Sequence, residues 1–334
     1  MSSKQKNIVL HFKNALYPHK VSHIKILETH ISWILLTGKY AYKIKKEVKF
    51  GKVLDFSSLR LRKKLCQKEV KLNSILCGKM YQGVVKLVKT NNSNKIVNLS
   101  DAGTPLEFAV KMLEIPQKFR MDNLVKLHKA DSGTLDTLVA TLAKFHNLSR
   151  TSTIIMYYGK PRIIRSKIKE NFKTLSHLTK ICDIFEDRLI LFTKQNSRLF
   201  DQRIKEFRVR DIHGDLYLKN IFFHNGKFYM YDRIEFNDFL RYADVAEDVA
   251  HLAMDLQYHG REDLQKYLIA NYVRKSNDTS LVNIIYFMLC YKACVRAKVS
   301  LFRASQLNST NEKLKCTSEA IEHFRLARKY LELF

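Results

Sequence analysis

Between residues 21 and 46 the apolar positions fall into short β-rich runs, His23–Leu27, Ile31–Leu36 and Tyr40–Ile44, with Gly38-Lys39 as a turn. That spacing predicts a β-meander. Asp55-Phe56-Ser57-Ser58 then opens a helical periodicity running to about Leu76, with Leu59, Leu61, Leu65, Val70, Leu72 and Leu76 as expected core positions. Strand character returns over Val84–Val88, Lys95–Leu99 and Leu106–Met112, around the polar turn Asn91-Asn92-Ser93-Asn94. Strands, one helix and more strands make a small α+β lobe.

The pattern changes after Ile115-Pro116. Leu124–His128 and Leu135–His146 are amphipathic, and helical periodicity dominates from Ile163 to Glu206. Two short β runs, Ile221–Phe223 and Phe228–Tyr231, flank Asn225-Gly226, a hairpin turn signal. Helical patterns then cover Ala243–Tyr258, Glu262–Val273, Leu281–Ser305 and Asn311–Leu333. The expected organisation is a β-rich lobe over 1–114, a hinge near Lys111–Gln117, and a helical lobe over 115–334 with a hairpin inserted in it.

Composition narrows this further. The 334 residues are 46% hydrophobic and 27% charged, with only Gly 10 and Pro 4, which excludes disorder and favours long helices. Met1–Leu10 has no apolar signal core, and the longest uncharged apolar run, Ile284–Tyr291, falls far below the ~20 residues of a spanning helix. A soluble, cytoplasmic chain with no membrane partner is expected. Cys66, Cys77, Cys182, Cys290, Cys294 and Cys316 form no CxxC pair, so they are expected as reduced core thiols.

The formal charge is +27, and it is uneven: +17 over residues 1–100, +7 over 101–200, −2 over 201–250 and +5 over 251–334. Ten of the 32 carboxylates thus gather in the fifty residues from 201 to 250. Clustered carboxylates in a positive surround suit a divalent cation bound to an anionic substrate.

Within that stretch stands His213-Gly214-Asp215-Leu216-Tyr217-Leu218-Lys219-Asn220, just before the first β run, and Tyr231-Asp232 closes the second. Asp215, Asn220 and Asp232 are therefore held at the ends of one hairpin. Phosphoryl transfer asks for such a set: a carboxylate to orient and deprotonate a hydroxyl, with an amide oxygen and a second carboxylate to hold Mg²⁺ on the nucleotide. The Asp-to-Asn interval equals that of the protein-kinase catalytic loop.

At these residues the chain resembles the aminoglycoside phosphotransferase-like, protein-kinase-like enzymes, whose loop reads HGDLHxxN before a hydrophobic strand ending in Asp. Glu28-Thr29-His30-Ile31-Ser32-Trp33, Tyr42-Lys43-Ile44-Lys45-Lys46, Tyr231–Asp238, Asp244–Ala250 and Tyr291–Lys298 look like an uncharacterised branch of that family. The resemblance spans about Glu28 to Lys298. Many members of the branch continue into a P-loop ATPase domain; no GxxxxGK[ST] occurs here, so the kinase-like half alone is expected.

The resemblance implies an α+β, protein-kinase-like bilobal fold, with a small β-rich N-lobe and a large, mostly helical C-lobe. It implies Asp215 as catalytic base and Asn220 and Asp232 as Mg²⁺ ligands. Lys43 would contact the nucleotide phosphates, paired with Glu69, the only acid between Ser57 and Gly78. Lys45 rivals Lys43, because period two puts both on one strand face. Lys219 either neutralises charge on the moving phosphoryl group or is solvated. Tyr217 replaces a histidine common in the family, so that contact is lost or made by the phenol. Arg233 contacts phosphate or pairs with Glu235. With no GxGxxG loop, Thr29–Ser32 or Thr37–Tyr40 would cover the nucleotide. Asp244 is expected to cap a helix, Asp248 to buttress the catalytic loop one turn later, and His213 to be a packed core residue. His11, His30, His128, His146, His224, His251, His259 and His323 share no metal-ligand spacing.

The expected function is ATP- and Mg²⁺-dependent transfer of the γ-phosphoryl group to a hydroxyl of a small molecule. Arg296 and Lys298 are candidates for an anionic acceptor, or surface charge. The alternative is a catalytically weak or regulatory kinase-like protein that binds nucleic acid or an acidic partner through its basic N-lobe, notably Lys43-Ile44-Lys45-Lys46 and Arg60-Leu61-Arg62-Lys63-Lys64. Against nucleic acid stands the absence of any RRM, KH, zinc-finger or helix-turn-helix pattern. Acceptor identity and oligomeric state are not legible in the sequence.

Overall fold

Alternation along Tyr40–Lys45 decides what each face of the main sheet carries. Tyr42 and Ile44 point to one side with Phe12, Trp33, Leu35, Val85, Leu87, Ile96 and Ala109. Ala41, Lys43 and Lys45 point to the other, where Ala41 packs with Cys66, Cys77, Met80, Phe108 and Val110. The computed structural model describes residues 3–51, 53–91, 93–179 and 183–334. Asn92 of the expected turn and Cys182 lie outside them; the five described cysteines are buried and form no disulfide with one another.

The chain divides into two compact units. The first takes the chain up to Phe119 together with Phe222–Asp238. Its sheet has six antiparallel strands in the order Lys25–Glu28, Ser32–Leu36, Tyr40–Lys45, Pro105–Leu113, Tyr81–Lys89, Asn94–Asn98. Lys43 stands opposite Ile34 on one neighbour and Val110 on the other. The Ser3–Lys13 helix, which the sequence pattern did not announce, contributes the fully buried Phe12.

The Leu59–Cys77 helix lies on the other face of this sheet. Ser58 caps it by accepting from the Leu61 amide at 3.2 Å, and Gly78 ends it at φ 49°. Its buried stripe is Arg62, Cys66, Glu69, Asn73 and Cys77, not the expected leucines. The spacing of that stripe is helical, and the leucines flank it. What the sequence pattern missed is that three polar side chains occupy the innermost line, each with a partner inside: Arg62 on Glu107, Glu69 on two lysines, and Asn73 on the backbone of Arg233.

The hairpin Ile221–His224 and Lys227–Met230 turns through Asn225 and Gly226 at φ 51° and 69°, as the Asn-Gly signal requires. Most of it belongs to the first unit, not to the helical lobe expected to hold it. There Phe222, Tyr229 and Tyr231 pack into the cluster around Met80 and Tyr81.

The second unit, Arg120–Ile221 with Phe239–Phe334, is helical around one nearly all-buried helix, Ala246–Tyr258. A two-stranded antiparallel ribbon, Val209–Asp211 with Tyr242–Asp244, precedes that helix. Asp244 therefore ends a strand and does not share a helix face with Asp248. It accepts from the Ala246 amide at 2.9 Å, and also holds the fully buried Arg203 at 2.6 and 2.7 Å. Arg203 continues to Asp278 and Ser280. Among the described residues no helix is long and apolar enough to cross a membrane.

Candidate active site

In the first unit, period two on the Tyr40–Lys45 strand brings both Lys43 and Lys45 to Glu69. The Lys43 ammonium lies 2.8 Å from Glu69 Oε1 and also donates to Asp232, while Lys45 lies 2.6 Å from Oε2 and also donates to Glu235. All but Asp232 are sealed, whereas the Asp232 side chain is 41% exposed. Phe56 covers Lys45, its ring centroid 4.8 Å from the ammonium. Burial acts to raise the Glu69 pKa, but the two ammoniums hold it below the carboxylate range. Glu235 is pushed up by burial, aided by the charge of Glu69.

Asp232 sits at φ 65°, in the left-handed region that a non-glycine residue enters only when its surroundings impose it. Those surroundings are visible. Tyr81 Oη accepts from the Asp232 amide at 3.3 Å, and Asn73 Oδ1 accepts from the Arg233 amide at 2.8 Å. Two residues that no sequence motif singled out thus fix the backbone on both sides of the Asp232 carbonyl.

Of the two basic runs of this unit, the Lys43–Lys46 run is internal, whereas Arg60, Lys63 and Lys64 of the second are exposed. Lys43, Lys45, Lys46 and Arg62 are all buried; Lys46 pairs with Glu28 at 2.6 Å and Arg62 with Glu107 at 2.8 Å.

In the second unit the loop carrying Asp215 hangs from the Ala246–Tyr258 helix. Asp248 accepts from the His213 amide at 2.7 Å and the Gly214 amide at 2.9 Å, and Asp255 accepts from the Leu218 amide at 2.8 Å. Gly214 has φ 90°, a conformation that side chains oppose, which accounts for glycine at this point of the loop. Asp248 is backed by His146 at 3.2 Å, and His146 by Tyr272 at 2.7 Å. Burial acts to raise the Asp248 pKa, but the His146 hydrogen bond and neighbouring histidines hold it down. The expected buttressing by Asp248 is what the geometry displays.

Asn220 Nδ2 donates to the Asp215 carbonyl at 3.0 Å and to its carboxylate at 3.4 Å. The amide nitrogen is spent inside the loop, so Oδ1 is the end left to receive a cation. The Asp215 side chain remains 40% exposed, and His251 Nδ1 lies 3.8 Å from it. His251 is buried with neither ring nitrogen hydrogen-bonded, and burial drives its pKa well below the usual value, so it faces Asp215 uncharged. Tyr217 stacks flat on His251 with centroids 5.4 Å apart, and the Arg296 guanidinium covers the Tyr217 ring at 4.5 Å. The phenol that replaces the family histidine is thus a spacer between His251 and Arg296.

Tyr217 and Arg296 border a cavity of about 590 Å³ within the second unit, which Lys219 also lines. Burial, then the charge of Arg296, lowers the Lys219 pKa. Lys298, two residues beyond Arg296, is not part of this wall; burial brings its pKa down to about 8.

The structure brings Lys43, Glu69 and Asp232 together in one unit and Asp215 and Asn220 together in the other, where Lys219 lies in the cavity wall. Asp255, Asn73 and Tyr81 were not singled out in the sequence, and His146 was considered there only as a metal ligand. Asp255 had a signal: Asp248, His251 and Asp255 stand at i, i+3 and i+7 on a mostly apolar helix.

No protein-family model matches the chain. It is 32% identical over 316 residues to uncharacterised proteins of Mycobacterium tuberculosis and Mycobacterium bovis, across 92% of this chain and 60% of theirs. The chain thus spans about three fifths of the length of these curated relatives. Among solved structures it is similar to choline kinase from Cryptosporidium parvum, with TM-score 0.51 and 10% identity over 98% of this chain and 96% of that one. A choline/ethanolamine kinase family protein from Mesorhizobium loti gives TM-score 0.51 and 10% identity over 98% and 99% of the two chains. Plasmodium vivax ethanolamine kinase gives 0.50 and 12% over 92% and 84%. At these identities the likeness is one of fold: a small antiparallel β lobe and a helical lobe, as in the kinases.

Proposed function

The chain has the protein-kinase-like fold of the aminoglycoside phosphotransferase-like enzymes, and on that premise we propose that it transfers the γ-phosphoryl group of ATP to a hydroxyl of a small molecule. The observation that carries this reading is the Lys43 ammonium shared between Glu69 and Asp232. A strand lysine, a helix glutamate and an aspartate after the hairpin are the parts that protein kinases use to hold nucleotide phosphates and their metal.

In this reading Asp215 takes the proton of the acceptor hydroxyl, being exposed and borne on a loop whose backbone amides are tied to Asp248 and Asp255. Asn220 Oδ1 in the second unit and the Asp232 carboxylate in the first are each a hard oxygen donor of the kind Mg²⁺ takes, and nucleotide and water oxygens would complete the shell of an ion held at either. Bound there, the ion would neutralise phosphate charge. Lys43 would contact the α- and β-phosphates, held in place by Glu69; sealed under Phe56, Lys45 would serve to hold Glu69. Lys219 would offset charge on the transferred group.

The test is a thermal shift with ATP and Mg²⁺, present in wild type and abolished in Asp232→Ala. A wild-type chain that binds no nucleotide overturns the reading. With an acceptor in hand, Asp215→Asn lowers ADP release by about 10²–10⁴-fold, the usual contribution of a general base.

A further inference from the structure

The cavity that begins at Tyr217 has two polar groups without partners. Arg296 Nε and His323 Nε2 are buried in its wall, and neither makes a hydrogen bond. His323 is 3% exposed, and burial followed by the charge of Arg296 lowers its pKa to about 3, so it is a neutral imidazole. Buried polar groups left unsatisfied are rare enough in native folds to ask for a ligand.

The wall decides the sign of that ligand. Lys126, Lys219, Arg296, Lys315 and Arg325 line it, against three carboxylates. Glu322 pairs with Arg325 at 2.5 Å, and Asp122, outside the wall, lies 4.0 Å from Lys126. Lys219, Arg296 and Lys315 then stand against Asp255 and Glu319, so the wall is net positive. An ammonium acceptor would meet like charge here, whereas an oxyanion would meet Arg296 held flat on Tyr217. The stack of Arg296, Tyr217 and His251 ends beside Asp215, so the cavity wall and the proposed base belong to one packed set of side chains in the same unit.

We propose that this cavity binds the acceptor, and that the acceptor is a hydroxylated small molecule bearing an oxyanion, a carboxylate or a phosphate. Arg296 receives the oxyanion and His323 hydrogen-bonds an adjacent oxygen. The inference rests on the phosphotransferase reading for the word acceptor, but not for the anion site itself.

The full chain is titrated with size-matched probes: gluconate and glucose 6-phosphate as anions, glucose as the neutral member, and choline as the cation. At least one anion is expected to bind about tenfold more tightly than glucose or choline, with the carboxylate and phosphate arms separating the two sources. Arg296→Gln is expected to lose about tenfold for that anion while keeping its nucleotide-induced thermal shift. Should that variant not fold, Lys315→Gln on the exposed side of the wall gives a smaller loss in the same direction. Equal or tighter binding of glucose or choline, no binding by either anion, or indifference to both substitutions overturns the proposal. An anion that binds yet yields no ADP with ATP and Mg²⁺ leaves the anion site standing and counts against the phosphotransferase reading alone.

Discussion

Glu69 and Asp248 are both sealed carboxylates, 0% and 1% exposed, one in each unit, and both are kept below the usual carboxylate pKa although burial opposes it. They reach that state by different means. Glu69 faces two ammoniums, Lys43 and Lys45, and answers charge with charge. Asp248 faces two backbone amides and the neighbouring His146, and answers direction with direction. The first arrangement depends on the unit charge of the glutamate and tolerates some latitude in where its oxygens lie. The second depends on having two acceptors at fixed positions, and what it fixes is the loop bearing Asp215. One carboxylate is thus suited to holding cations in place, the other to setting geometry.

An amide of the same shape separates the two cases. Glu69→Gln removes the central charge and leaves two buried ammoniums facing Asp232 and Glu235 across a neutral group. Breaking a buried pair in this way is expected to cost about 3–5 kcal/mol in urea unfolding. Replacing Lys45 and its partner Glu235 together, Lys45→Met with Glu235→Leu, returns part of the loss on that background, because a buried ion pair gives way to apolar groups beside Phe56. A triple variant no more stable than Glu69→Gln alone would show that the cluster is held by something other than charge.

How far the sequence disclosed these regions follows from the same difference. Asp215, Asn220 and Asp232 were legible because a hairpin fixes their spacing within one short stretch, and Lys43 because strand alternation leaves few choices. Lys43 against Lys45 was not decidable from period two, since both reach the same glutamate. The buried line of the Leu59–Cys77 helix was misjudged because a hydrophobic pattern takes polar residues to be outside; Arg62, Glu69 and Asn73 are inside, with partners 45, 26 and 160 residues away in sequence. The same distance hid the anchors of Asp232. The short ribbon joining Val209–Asp211 to Tyr242–Asp244 was missed because its strands are three residues each and the second runs into a helical pattern.

The counterpart in the second unit is Asp248→Asn. Asparagine offers one carbonyl oxygen where the His213 and Gly214 amides need two, and turns its own N–H₂ toward the other. An unmet buried donor costs about 1–3 kcal/mol, less than the loss expected at Glu69. The sharper expectation is in turnover: kcat falls while the nucleotide-induced thermal shift stays, because the loop and not the Lys43 cluster is disturbed. Equal losses of stability from the two amide substitutions would erase the distinction between charge and direction.

The smallest effect concerns the pH range in which each region responds. Glu69 and Asp248 have depressed folded pKa values, so the stability they add is complete above their unfolded values near about 4 and is lost as pH falls through the folded ones. His323 acts earlier. Its folded pKa of about 3 lies below its unfolded value of 6.5, so between these the unfolded chain binds the extra proton and stability falls as pH drops. His251 and His259 are lowered too and add to the slope. His323→Phe, which keeps a ring against Tyr258, should therefore flatten the decline in unfolding free energy between pH 6.5 and 4.5, by at most about 1.4 kcal/mol per pH unit, and leave the acid limb below about pH 4 in place. If the variant instead shifts the acid limb and spares the upper window, the histidine is not buried neutral, and the wall of the cavity carries a charge that its packing does not indicate.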